Sequence, residues 1–196
     1  GVPAPPAGGT SLEYTLAGYP SVPSPTDRRW LEPPWVVDFD EPDVAALHRA
    51  FVAERREQVT SDAIVAYVAD AVRGSLESGF EIASAVARRR SGDCTEYAVL
   101  TAALARASGL PARVVLGLAL VQTPNGYGAY GHAWTETLEG GHWRVADAAL
   151  ARAPDPVRYL PLGVLEDEGP GYAMNVARLL PLWVKRIVVV GAGPAS

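Results

Sequence analysis

Apolar side chains recur at helical spacing from residue 43 onward. Val44, Leu47, Phe51 and Val52 form one stripe behind a Pro42-Asp43 start, with charges opposite, and predict a helix to about Gln58. Thr60 and Ser61 read as caps for a second helix that carries Ile64, Val65, Val68 and Val72 on one face and ends near Gly74. A third, shorter helix is expected over Glu81 to Arg90, broken by Ser91-Gly92. The segment Cys94 to Ser108 has the clearest helical signal: Asp93 precedes it as a cap, helix-favouring residues fill it, and Gly109 and Pro111 close it. Its alanines, at 98, 102, 103, 105 and 107, imply close packing on more than one side, as for a central helix laid against a sheet.

The period then changes. Ala112 to Val121 is a β-branched run, and after a glycine-rich loop, Gln122 to Gly131, Ala133 to Leu138 gives a second strand. Trp143 to Ala146 gives a third, with Gly140-Gly141 as the turn between them. Helices first and strands later argue for an α+β domain, with N-terminal helices and a central helix packed on an antiparallel sheet, rather than a parallel doubly wound fold. Ahead of this domain, 43–196, nine of the seventeen prolines fall within residues 1–42, alternating with Gly, Ser and aromatic residues. That stretch reads as an extended arm or the tail of an upstream domain, part of it packed through Tyr14, Trp30 and Trp35.

Composition narrows the function classes. A chain of 196 residues, 48% apolar and 20% charged, fits one packed domain. A formal charge of -5 argues against nucleic acid and anionic membrane surfaces as partners. The basic run Arg88-Arg89-Arg90 sits at a helix end, where cations complement the dipole and stay solvated. Leu179 to Val190 is apolar but interrupted by Lys185 and Arg186, and too short to span a bilayer. A chain that opens at Gly1, with no charged-then-apolar leader, reads as a trimmed or mature form. A trimmed upstream segment would point to a bacterial cell envelope or periplasm, and its absence to the cytoplasm. The single cysteine excludes an internal disulfide, and with only His48, His132 and His142 beside it no structural zinc site of standard spacing can form. No metal or cofactor is expected.

Cys94 begins the central helix, where unpaired N–H groups and the positive end of the dipole favour thiolate over thiol. Free cysteines usually serve as small buried hydrophobes, but those have no reason to prefer a helix start. His132 opens a strand and is placed to take the thiol proton. His142 reads as a solvated turn histidine, and His48 is assigned no role. A tight turn at Gly140-Gly141 sets Leu138 opposite Trp143, and so Trp134 opposite Asp147. His132, Trp134 and Glu136 then share a face with Asp147, and His132 and Asp147 become diagonal neighbours with Cβ atoms roughly 7 Å apart, a gap their side chains can close. The order is nucleophile, base, acid. Trp134, Tyr127 and Tyr130 are candidates to line a substrate cleft, with Gly126, Gly128 and Gly131 allowing the loop to close over it. Glu96 and Glu136 read as structural polar neighbours.

The runs SGDCTEYAVLTAALARASGLPARVV, GHAWTE and WRVAD resemble three sequence blocks of the transglutaminase-like superfamily, whose fold is related to that of papain-like proteases. The resemblance covers about Phe80 to Leu150, and more loosely Pro161 to Val190. It implies the roles of nucleophile, base and orienting acid for Cys94, His132 and Asp147, with the Cys94 N–H as one oxyanion donor and a second from an upstream residue. The family's aspartate is commonly followed by proline; here Ala148 follows it. The expected activity is acyl transfer through a thioester on a peptide or carboxamide substrate, leaning by resemblance to hydrolysis, as in a protease or amidase. The alternatives are a protein-glutamine transamidase and a catalytically idle binding or scaffold domain, with the proline-rich arm as its connector.

Overall fold

The computed structural model describes residues 28–54, 59–76, 79–124 and 126–165. Residues 1–27, with Tyr14, and the Leu179 to Val190 stretch lie outside them, as do residues 55–58, on which the expected end of the first helix falls. That helix, α1, spans Pro42–Ala53 and buries Val44, Leu47 and Phe51, while Val52, expected on the same stripe, is 41% exposed. Next, α2, Ser61–Ala71, is capped by Thr60, whose hydroxyl accepts from the Ala63 N–H at 3.3 Å. A short parallel pair, β1 at Arg73–Gly74 and β2 at Ser91–Gly92, brackets α3, Ala83–Arg89, which ends at Arg90 in the left-handed region. Helix α4, Cys94–Ala107, is buried from Thr95 to Arg106 except at Tyr97. Its small side chains let helices press on one side and the sheet on the other.

The larger sheet has four antiparallel strands in the order β5-β4-β3-β6. They are β3 Ala112–Thr123, β4 Gly126–Glu139, β5 His142–Ala146 and β6 Arg158–Leu165. The pleat turns Ala133 and Thr135 toward α4, where the Thr135 hydroxyl donates to the Ala98 carbonyl at 2.6 Å. Trp134 and Glu136 point to the other face.

One sequence expectation needs correction. Gln122 to Gly131 is not a loop: β3 and β4 stay paired out to Thr123 and Gly126. Glycines weaken a strand but keep both ladder hydrogen bonds, and the Tyr130 ring fills the space over Gly128, where an added Cβ would stand 2.9 Å from it. Strand β6 was not foreseen, since Pro161 and Gly163 within its run argue against a strand. It lies at the sheet edge, where proline is tolerated, and a bulge between Leu116 and Gly117 absorbs the irregularity.

The described part of the proline-rich stretch, from residue 28, is partly packed. Trp30 and Val37 are 4% exposed and Val36 2%, while Trp35 is 45% exposed. Buried Arg106 on α4 ties this stretch down by donating to the Ala112 and Glu32 carbonyls at 2.9 and 2.6 Å. Among the described residues no helix is long and apolar enough to cross a membrane, and no group of three metal-ligating side chains occurs.

Gly117 marks the closest approach in the sheet. A Cβ there would stand 2.1 Å from the Leu160 carbonyl oxygen and 2.8 Å from the Trp134 ring. Backbone cannot yield cheaply, so Gly117→Ala should lower the unfolding free energy by about 1–3 kcal/mol in chemical denaturation. An unchanged midpoint would mean that β6 is not seated as described.

Candidate active site

The start of α4 is fixed by three consecutive devices in the sequence Gly92-Asp93-Cys94-Thr95-Glu96. The Asp93 carboxylate accepts the Thr95 N–H at 2.8 Å, and the buried Glu96 carboxylate reaches back to the Asp93 N–H at 2.8 Å, a capping box. The other Glu96 oxygen accepts the Glu81 N–H at 2.9 Å. Burial pushes the Glu96 carboxyl above its usual range, while these two N–H donors pull it down. Gly92 is required here, since a Cβ would meet the Glu96 side chain at 2.2 Å. Cys94 is thereby held as the first residue of α4, half-buried, with its N–H among those that have no acceptor within the helix.

His132 sits on β4 beyond the last residue it pairs to β5, where Thr135 faces Ala146. Asp147 follows β5 directly. His132 Nε2 and Asp147 Oδ2 are 2.7 Å apart, with side chains only 7% and 5% exposed. The turn register expected from Gly140-Gly141 is the one observed, with Leu138 opposite Trp143.

Asp147 is held without a following proline. Its Oδ1 accepts the Ala149 and Leu150 N–H groups at 3.0 and 3.2 Å, and its Oδ2 accepts the Tyr159 hydroxyl at 2.9 Å as well as the ring. Burial of His132 works against its charged form, but the hydrogen bond and charge of Asp147, with those of Cys94, more than offset this and raise its pKa to about 9. The structure thus brings Cys94, His132 and Asp147 together.

The three residues expected to line a cleft are placed differently from one another. Trp134 has no exposed surface; it stacks beside the His132 ring with centroids 6.2 Å apart and planes at 18°. Its indole N–H reaches toward buried Glu136 at 3.4 Å, and Glu136 pairs with Arg113 at 2.7 Å. Tyr130 is 58% exposed and, two residues before His132, shares its face of the sheet, whereas the pleat puts half-buried Tyr127 on the other. Tyr159 was missed, because its strand was. An opening of about 470 Å³ adjoins Asp147 and Tyr159 on the side lined by Asp62, Val65 and Pro154; neither Cys94 nor His132 borders it.

A family model described as the transglutaminase-like superfamily matches residues 47–148, more than half of the chain. No curated protein matches it. Among solved structures, the chain is similar to a candidate cysteine protease from Cytophaga hutchinsonii, at 20% identity and a TM-score of 0.50, over 69% of this chain and 53% of that one. It is also similar to the periplasmic domain of TgpA from Pseudomonas aeruginosa bound to ethylmercury, at 23% identity and a TM-score of 0.45, over 64% of this chain and 50% of that one. The chain spans about half the length of these structures, and the first likeness is one of fold.

The raised pKa of His132 ties stability to pH. The folded protein keeps the ring proton up to about pH 9, whereas the unfolded chain releases it near the ordinary 6.5. Stabilisation from the charged ring is therefore full below about pH 6.5 and is lost as the pH climbs to 9. Urea unfolding should show the free energy falling across that window, and His132→Gln should flatten the fall. A rise with pH that disappears in the variant would contradict the assigned environment.

Proposed function

Because the chain belongs to the transglutaminase-like superfamily, we propose that it is a cysteine-dependent acyl-transfer enzyme in which Cys94, His132 and Asp147 act as nucleophile, base and orienting acid. One observation carries the reading. A cysteine at a capped helix start lies close enough to a buried imidazole to help hold its proton, and the same imidazole is hydrogen-bonded to a carboxylate.

In the first half-reaction the Cys94 sulfur attacks the carbonyl carbon of a peptide or carboxamide, and the oxygen takes up negative charge near the Cys94 N–H. The imidazolium of His132 gives its proton to the departing nitrogen, the C–N bond breaks, and a thioester remains on Cys94. Water then attacks the thioester, His132 accepts a proton from it, and the acid leaves with the thiolate restored. Asp147 keeps the ring oriented and supports its charge throughout. The substrate class is a peptide or protein, and no metal or cofactor takes part in these steps.

Hydrolysis is favoured over aminolysis by where the aromatic side chains go. A transferase must exclude water and seat an amine, which calls for apolar walls open to the thioester. Of the described aromatic residues on the His132 face, Tyr130 is exposed and Tyr159 bonds to Asp147, while of the two tryptophans Trp134 is buried behind the ring and Trp143 packs edge-on against Trp30 with centroids 6.0 Å apart. Neither is free to wall an amine channel.

With glutaminyl and other peptide substrates, mass spectrometry should find an acyl adduct on Cys94 and mainly free acid as product, even beside a millimolar lysine-like amine. Hydroxylamine should divert part of the flux to hydroxamate. Cys94→Ala should abolish turnover, and Asp147→Asn should lower it by about a hundredfold or more with the fold retained. Predominant amide formation would reassign the enzyme as a transamidase. Full activity in Cys94→Ala would remove the mechanism altogether.

A further inference from the structure

We infer that Tyr159 is a positioning residue of the triad, which holds the Asp147 carboxylate in place and tempers its pull on His132; the inference rests on the catalytic reading above. Of the four donors on Asp147, the two backbone N–H groups both go to Oδ1 and fix where the carboxylate sits. The Tyr159 hydroxyl goes to Oδ2, the oxygen that also accepts from His132 Nε2. Two donors at 2.9 and 2.7 Å occupy that oxygen, so each receives a smaller share of its charge.

The sheet is shaped to allow this contact. Tyr159 lies on β6 and pairs with Ala119 of β3, while Asp147 follows β5 at the opposite edge. The β3 residues that lie between on this face are Gly117 and Ala119. Their small size lets the Tyr159 ring lean across to Trp134, with centroids 5.0 Å apart, and to within 6.3 Å of His132. The ring therefore helps to fix the imidazole plane through Trp134, and the hydroxyl acts on its partner.

These two contributions separate in Tyr159→Phe, which keeps the ring and removes only the donor. With the second donor gone, Oδ2 presents more of its charge to His132, and the protonated ring is held more firmly. The expected result is an upward move of the His132 titration midpoint, read by ring NMR from its value in the unchanged protein, by a few tenths of a unit or more. On an amide substrate, a more firmly held proton is given up more slowly, so kcat should fall several-fold while KM stays level.

A folded Tyr159→Phe protein whose His132 midpoint is unchanged or lower would overturn the proposal and reduce Tyr159 to a packing residue. Asp147→Asn provides the separate check on the triad itself, since there the midpoint must fall sharply. If it does not, the catalytic reading has failed, whatever Tyr159 does. Should Tyr159→Phe not fold, the unchanged protein answers the question: an exchange-protected tyrosine hydroxyl proton with a cross-peak to the His132 ring N–H supports the contact, and a freely exchanging one overturns it.

Discussion

The turn at Gly140-Gly141 requires positive φ at two successive residues, 58° and 80° here, a conformation that glycine adopts without the steric cost other residues incur. With that turn set, Leu138 must face Trp143 and Thr135 must face Ala146. Asp147 then emerges beside His132 and on its side of the sheet. A slip of one residue would carry Asp147 to the face that packs on α4 and leave the imidazole without its carboxylate. The rest of the site presupposes this pairing. The Ala149 and Leu150 N–H groups can fix Asp147 only where the register has delivered it, and Tyr159 can reach Oδ2 only there.

Cys94, the proposed nucleophile, is placed by a second, independent constraint. Gly92 leaves room for Glu96 to fold back over the helix start, and Glu96 then satisfies the N–H groups of both Asp93 and Glu81. A buried carboxylate is costly unless it is hydrogen-bonded, so this arrangement has little freedom to shift. Cys94 is carried along with it. Local capping chemistry and tertiary packing therefore agree on one position for the first residue of α4, and the proposed role of Cys94 needs that agreement if its sulfur is to meet a base from a distant part of the chain.

Much of this was legible in the sequence, for identifiable reasons. Stripes such as Val44, Leu47 and Phe51 reveal a helix because one face must be buried, and the capped run from Cys94 reveals another. The β4–β5 register was legible because two glycines allow few turns. What stayed hidden depends on contacts between segments remote in sequence. Pro161 and Gly163 conceal an edge strand, and with it Tyr159. The glycines between Gln122 and Gly131 read as a loop, although a paired neighbour holds them extended. Trp134 read as a cleft wall because its face was known, while nothing local could show that the face is covered.

That covering explains the buried charges behind the site. An imidazole that must keep one orientation needs a flat surface beside it, and the Trp134 indole is wide enough to extend from His132 to Gly117. A wholly buried indole brings an N–H that is costly to leave unpaired, and Glu136, the next residue on that face, supplies an acceptor. The Glu136 carboxylate, buried in turn, is paired with a cation. Arg113, directly across the ladder, provides two donors at 2.7 and 2.8 Å and lays its guanidinium over Trp143 at 4.1 Å. Buried ion pairs of this kind add little net stability compared with an apolar filling of the same shape, though removing one partner is costly. Arg113 and Glu136 are therefore better understood as consequences of the indole than as a separate stabilising device, and what they secure is the orientation of the ring that Asp147 and Cys94 share.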